Sequence, residues 1–371
     1  MFLRFSDRKR ELWVRALFGK CFWFKVLAPA WPLAAGLVTG PVPAAEPPAY
    51  RTETRAFVAE MAGKNGLDLD ALTRLMDQAR YRQDVIDAMR RPYEGKPWAA
   101  YRAIFLTKTR IDSGVAFWQA NVDLLARAER EYGVPPEIIS AIVGVETSYG
   151  GNLGRHRVID ALSTLGFAYP PRAAFFRGEL ESFLLLARDE AIDASQVTGS
   201  YAGAVGKPQF IPSSYRAYAV DFDGDGRRDL WRSDADVIGS VGNYLRQHGW
   251  RPGEPVASPA ILSTLGFSSL GSGSLSVAQK EPVEPSLALR QLAGLGVEVE
   301  ESLSPDAQAV LLRLDGSEEE YWVGFENFYV ITRYNRSNLY AMAVHQLGQE
   351  IKALYTATES RQAAANQGSA R

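Results

Sequence analysis

Two short stretches of this sequence carry residue types that do chemistry. In "AIVGVETSYGG", residues 141–151, Glu146 interrupts an otherwise apolar run. On a helix it shares a face with Val143, Ile142 and Ile139, which precede it by three, four and seven positions. A carboxyl among isoleucine and valine loses hydration, which disfavours its charged form and raises its pKa. Such a group stays protonated near neutral pH and is able to act as a general acid toward a glycosidic oxygen. The same pattern fits a structural glutamate paired with an arginine such as Arg155 or Arg172, and the residues alone leave both readings open.

The second stretch is "DFDGDGRRDLW", residues 221–231. Asp221, Asp223, Asp225 and Asp229 fall at positions 1, 3, 5 and 9 of an EF-hand-type loop, with Gly226 at the turn and Arg227 where the ligand is a backbone carbonyl. Arg232 stands where the closing carboxylate belongs, so Asp234 or Asp236 would have to supply it from a longer loop. Hard oxygen ligands favour calcium, and the alternative is an Asp/Gly turn without metal. Other chemistries lack their signatures: there is no nucleophile elbow, Walker loop, dinucleotide fingerprint or Cys/His cluster. The histidines His156, His248 and His345 are far apart, and His345, among apolar helix residues, reads as structural.

The elements that must position these residues are mostly helical. Pro135 and Pro136 open the helix of Glu146, and Gly150 and Gly151 end it. Helical spacing also marks 54–90, 115–131, 178–191, 236–247 and 339–354. Residues 251–322 change character: "SSLGSGSLS" resembles a linker, and Val310–Leu314 and Tyr321–Gly324 read as strands. "LSTLGF" occurs at 162–167 and 262–267 with nothing similar around it, which makes it a coincidence rather than a repeat. The polar, Ala/Gln-rich tail after Tyr355 predicts disorder.

The first 44 residues read as a secretory signal. Arg4, Arg8, Lys9, Arg10, Arg15, Lys20 and Lys25 precede the apolar "VLAPAWPLAAGLVTG", and Val42 and Ala44 suit cleavage after Ala44. The apolar stretch is broken by prolines and falls short of the ~20 residues of a spanning helix. The single cysteine, Cys21, follows Lys20 and precedes the apolar stretch, the wrong order for a lipid-anchoring signal. Loss of this basic segment makes the remaining chain more acidic than the formal net charge of −2 for the whole, which argues against nucleic acid as a partner.

Aromatic and amide residues gather in "GSYAGAVGKPQFIPSSY" (199–215) and "NFYVITRYNRSNLYAMAV" (327–344), the composition of a carbohydrate groove. Together with "YGVPPEIISAIVGVETSYG", "ALSTLGFAYPPRAAFF", "GELESFLLLARDE", "AVDFDGDGRRDLW" and "FYVITRYN", in order between 101 and 348, they identify a chain that resembles the lytic murein transglycosylases of the B type. The resemblance implies an α+β, predominantly helical fold: a lysozyme-like core with a helical N-terminal region and a small, partly β inserted segment. It divides the chain into a signal at 1–44, a helical domain at 45–124, core at 125–250 and 323–356, the insert at 251–322 and a disordered tail at 357–371.

It also implies roles. Glu146 takes the place of the family's single catalytic acid/base, Ser200 its neighbouring hydroxyl, and Gln209, Phe210, Tyr334, Asn335, Tyr101 and Arg172 the substrate groove. Asp221, Asp223, Asp225, Arg227 and Asp236 would hold a structural calcium ion, with no cofactor for catalysis. The sequence departs from the family at Ser148 and Tyr149, at Pro171 and at Lys207–Pro208, which puts particular sugar and peptide contacts in doubt. The expected reaction is non-hydrolytic cleavage between N-acetylmuramic acid and N-acetylglucosamine, leaving 1,6-anhydro ends. Its rivals are a hydrolase of the same polymer, which would call for a second carboxylate, and a non-catalytic, calcium-stabilised wall-binding module. The expected partners are peptidoglycan strands and cell-wall synthesis or remodelling proteins, for a periplasmic monomer.

Overall fold

The computed structural model describes residues 46–91, 95–299, 303–316 and 319–369. The export signal expected at 1–44, with Cys21, lies outside the described residues. Short helices come first: α1 (Tyr50–Asn65), α2 (Leu69–Asp77), α3 (Gln83–Met89) and α4 (Trp98–Phe105). Gly66 closes α1 in the left-handed conformation, and the Asp68 carboxylate caps α2 by accepting the Ala71 amide. Next are α5 (Lys108–Ala120) and α6 (Val122–Tyr132), where the sequence predicted one helix over 115–131. Asn121 makes the break. Its side-chain amide donates to the Phe117 carbonyl, and its backbone leaves the helical region.

The central helix is α7 (Pro136–Thr147), entered at its proline and buried on almost every side. After it come β1 (His156–Arg157), α8 (Val158–Ala168), α9 (Ala173–Asp189), β2 (Thr198–Gly199), α10 (Pro212–Tyr218) and α11 (Asp234–Gln247). The β1–β2 pair is antiparallel, with His156 opposite Gly199, and it ties the loop leaving α7 to the stretch that carries Ser200.

The inserted segment holds β3 (Ala257–Leu262), α12 (Thr264–Gly271), β4 (Leu287–Ala288), α13 (Leu289–Gly294), β5 (Val297–Val299), β6 (Gln308–Asp315) and β7 (Glu319–Gly324). The strands form one antiparallel sheet in the order β4-β6-β7-β3-β5. Adjacent residues of a strand face opposite sides. On β6, Leu311 accordingly joins a small core with Leu262, Leu292, Val297 and Val323, while Leu312 and Leu314 join the main core. The linker expected over "SSLGSGSLS" is half helical: the Ser263 hydroxyl caps α12, which runs through Gly271.

The last elements are α14 (Glu326–Ile331) and α15 (Asn338–Ser369). The tail expected to be disordered is instead a continuation of α15 as far as Ser369. Its Ala, Gln, Glu and Arg residues favour helix, and no proline or glycine interrupts them before Gly368. Helix α7 packs against α5, α6, α11 and α15, so the Glu146 helix is gripped from several directions.

Candidate active site

Glu146 sits in the last turn of α7 and is partly exposed, while Ile139, Ile142 and Val143 below it are fully buried. The helix stops through two non-glycine residues in left-handed backbone, Ser148 at φ 51° and Tyr149 at φ 60°. The Tyr149 ring turns back between α5 and α7, where its hydroxyl donates to the Arg110 carbonyl. Gly144 makes room for it, since a Cβ there would lie 2.4 Å from the Tyr149 oxygen.

The Tyr340 hydroxyl, delivered by the first turn of α15, donates to the Glu146 carboxylate at 2.6 Å. Its ring is 2% exposed and lies parallel to that of Tyr334, with centroids 6.3 Å apart. Tyr334 donates its own hydroxyl to the Pro208 carbonyl at 2.6 Å. Burial, and after it the charge of Glu146, holds both phenols well above the usual tyrosine range, so each stays a donor at any working pH. The Arg172 guanidinium lies over the Phe175 ring at 4.2 Å.

Around this centre the expected groove residues divide. Gln209 adopts φ 50° in the turn after Pro208, and its side-chain amide donates to the Gly206 carbonyl. The Ser200 oxygen accepts the Ala202 and Ala204 amides, which leaves its own proton able to point outward. Tyr334 and Asn335 are partly exposed. Phe210 and Tyr101, each 2% exposed, are walls rather than contact surfaces: Phe210 packs on Tyr244 and Tyr334, and Tyr101 stacks on Trp98. Arg172 is exposed on a short turn before α9. Sequence reasoning missed Tyr340 although it lies in the aromatic stretch 327–344, because composition does not say which ring turns inward.

The aspartate loop brings Asp221, Asp223 and Asp236 together, with one carboxylate oxygen from each within 4.8 Å of the others. Asp225 is not in this trio; its carboxylate accepts the Arg227 amide within the loop. Asp229, too, turns inward to accept the Trp231 and Arg232 amides. Burial raises Asp236 above the usual aspartate range, its bonds from the Phe222 and Asp229 amides oppose this, and the Asp223 and Asp221 charges push it further up. Three converging hard oxygen donors, one of them buried, fit calcium, which would relieve that repulsion.

Residues 49–349 match a family model described as a transglycosylase SLT domain. The chain is 43% identical over 314 residues to the membrane-bound lytic murein transglycosylase B of Escherichia coli, covering 82% of this chain and 83% of that protein. Its fold is similar to the soluble lytic transglycosylase SltB1 of Pseudomonas aeruginosa, at 49% identity and TM-score 0.75, covering 81% of this chain and 99% of the other. It is also similar to the Escherichia coli lytic transglycosylase Slt35 solved in complex with calcium, at 43% identity and TM-score 0.72 over 83% and 94% of the two chains. A more distant likeness, 29% identity and TM-score 0.71 over 82% and 80%, is to SltB3 of Pseudomonas aeruginosa in complex with NAG-anhNAM-pentapeptide.

Proposed function

The chain belongs to the transglycosylase SLT family and is a lytic transglycosylase acting on peptidoglycan, and we propose that Glu146 is its single acid/base. As an acid, Glu146 donates its proton to the glycosidic oxygen as the bond from that oxygen to C1 of N-acetylmuramic acid breaks. The carbonyl oxygen of the sugar's own 2-acetamido group bonds to C1 in its place. The Glu146 carboxylate then takes the proton of the C6 hydroxyl, O6 closes onto C1, and the acetamido oxygen leaves. The product is a 1,6-anhydro-N-acetylmuramyl end, and no water is consumed.

The observation that carries this reading is the Tyr340–Glu146 hydrogen bond, in a setting where the expected contact residues Ser200, Gln209, Tyr334 and Asn335 offer no second carboxylate. A hydrolase of the ordinary kind uses two carboxylates, one to protonate and one to attack or to activate water. The relative solved with NAG-anhNAM-pentapeptide supports the anhydro product by analogy. Ser200, Gln209, Tyr334 and Asn335 contact the sugars in this proposal; Phe210 and Tyr101 support them from behind, and Arg172 reaches substrate only at the exposed margin. Glu146→Gln tests the assignment: the amide keeps the shape but has no proton to give. A folded variant with wild-type melting and no peptidoglycan cleavage is expected, and near wild-type cleavage would contradict the assignment.

Asp221, Asp223 and Asp236 hold a calcium ion in this reading, as the relative solved with calcium suggests. The ion's chemistry is charge neutralisation within the loop. The described residues contain no helix long and apolar enough to cross a membrane. We place the mature protein in the periplasm as a monomer beginning near Ala45, acting on glycan strands alongside cell-wall synthesis or remodelling proteins. Recovery in membranes with a lipidated Cys21 would contradict that placement.

A further inference from the structure

Lys207 and Pro208 stand where three parts of the molecule meet. The Lys207 backbone amide donates to the Leu230 carbonyl at 2.8 Å, which fastens this turn to the end of the aspartate loop. Its carbonyl accepts the hydroxyl of Thr147 at 2.8 Å, and Thr147 is the residue after Glu146. The Pro208 carbonyl accepts the Tyr334 hydroxyl, and Tyr334 stacks on the Tyr340 ring whose hydroxyl holds Glu146. The backbone of one turn therefore reaches the Glu146 carboxyl by two routes, through Thr147 along α7 and through the tyrosine pair.

The Lys207 side chain fixes that turn from a third direction. Its stem runs beneath Gly150, where a Cβ would lie 3.1 Å from Lys207 Cε. The side chain is 16% exposed, and its ammonium forms an ion pair with Asp234, the first residue of α11. A largely covered lysine held by one carboxylate in the middle of a hydrogen-bonded turn restricts where that turn can sit.

We propose that Lys207 is a positioning residue for the reaction: through its ion pair with Asp234 it sets the place of the Thr147 and Tyr334 acceptors, and thereby of the Glu146 carboxyl. This rests on Glu146 being the acid/base. A sub-ångström drift of an acid toward a fixed substrate bond lowers the rate of the chemical step more than it lowers binding.

The test is steady-state cleavage of purified peptidoglycan by Lys207→Met, Lys207→Arg, Asp234→Asn and the double variant Lys207→Met/Asp234→Asn, with melting curves for each. Lys207→Met should lower kcat roughly tenfold with KM within about twofold of wild type. Lys207→Arg, which keeps the cation, should recover most of that loss. Asp234→Asn should resemble Lys207→Met, and the double variant should be no worse than either single one, because both remove one interaction. A Lys207→Met enzyme with wild-type kcat, a loss that Lys207→Arg does not recover, or losses that multiply in the double variant would each overturn the proposal. Glu146→Gln measured alongside separates the two ideas. If it is active, the acid assignment fails; if it is inactive while Lys207→Met equals wild type, only the role of Lys207 fails.

Discussion

A short hydrogen bond from Tyr340 holds the Glu146 carboxyl, and hydrogen bonds to charged groups contribute about 1.5–3 kcal/mol. Tyr340→Phe keeps the ring stacked on Tyr334 and removes only that donor. Its kcat should fall by about tenfold, equivalent to ~1.4 kcal/mol of barrier, with little change in KM. Steady-state rates on purified peptidoglycan measure this, and an unchanged kcat would mean that Tyr340 is scaffold alone. Glu146 stands out in the sequence as a candidate because a charge on an apolar helical stripe is anomalous in itself. Tyr340 does not. Tyr334 and Tyr340 lie six positions apart in one aromatic stretch, and only the packing of α15 against α7 decides that the second meets the carboxyl. Phe210 and Tyr101 fail in the opposite sense, since aromatic composition reads the same for a ring facing sugar and a ring closing a core.

Elements differ in how far their own residues determine them. "LSTLGF" is entirely helical and buried at 162–167 in α8. At 262–267 it ends a strand with Leu262, caps with Ser263 and only then begins α12. Six identical residues give two structures because their neighbours supply different partners. The aspartate loop is the converse case, with Asp221 and Asp223 local and legible, and Asp236 brought from inside the first turn of α11 by the Ser233 cap. If these three bind calcium only in the folded state, stabilisation follows RT ln(1 + [L]/Kd), about 2.7 kcal/mol at a hundredfold excess. Melting temperature should rise with calcium and fall with chelator, and Asp223→Asn should abolish the difference. Melting curves of the wild type indifferent to both additions would reduce the loop to a turn.

Across the whole molecule α15 is the shared element: it gives Tyr340 to the active site, accepts Arg102 of α4 through Gln346, and sets His345 edge-on to Trp322 of the sheet. Burial depresses the His345 imidazole from 6.5 to about 4, and its Nε2 has no hydrogen-bond partner among the described residues. In the unfolded chain the same group takes up a proton near its ordinary value. The unfolded state therefore binds more protons as pH falls from about 6.5 to about 4, and stability is lost across that window, by roughly 3 kcal/mol in all. His345→Gln should flatten the fall of melting temperature over this range, and curves parallel to wild type would show that other groups govern it. The helical body was legible as a set of spaced apolar stripes; the length of α15 was not, because a polar Ala/Gln-rich tail fits helix and disorder alike. The central claim is that Glu146 alone serves as acid and base while the substrate closes its own ring. Mass spectrometry of muropeptides released from purified peptidoglycan tests it most directly. The account predicts muramyl ends lighter than the hydrolysed form by one water and resistant to borohydride reduction; reducible, hydrolysed muramyl ends as the main product would contradict it.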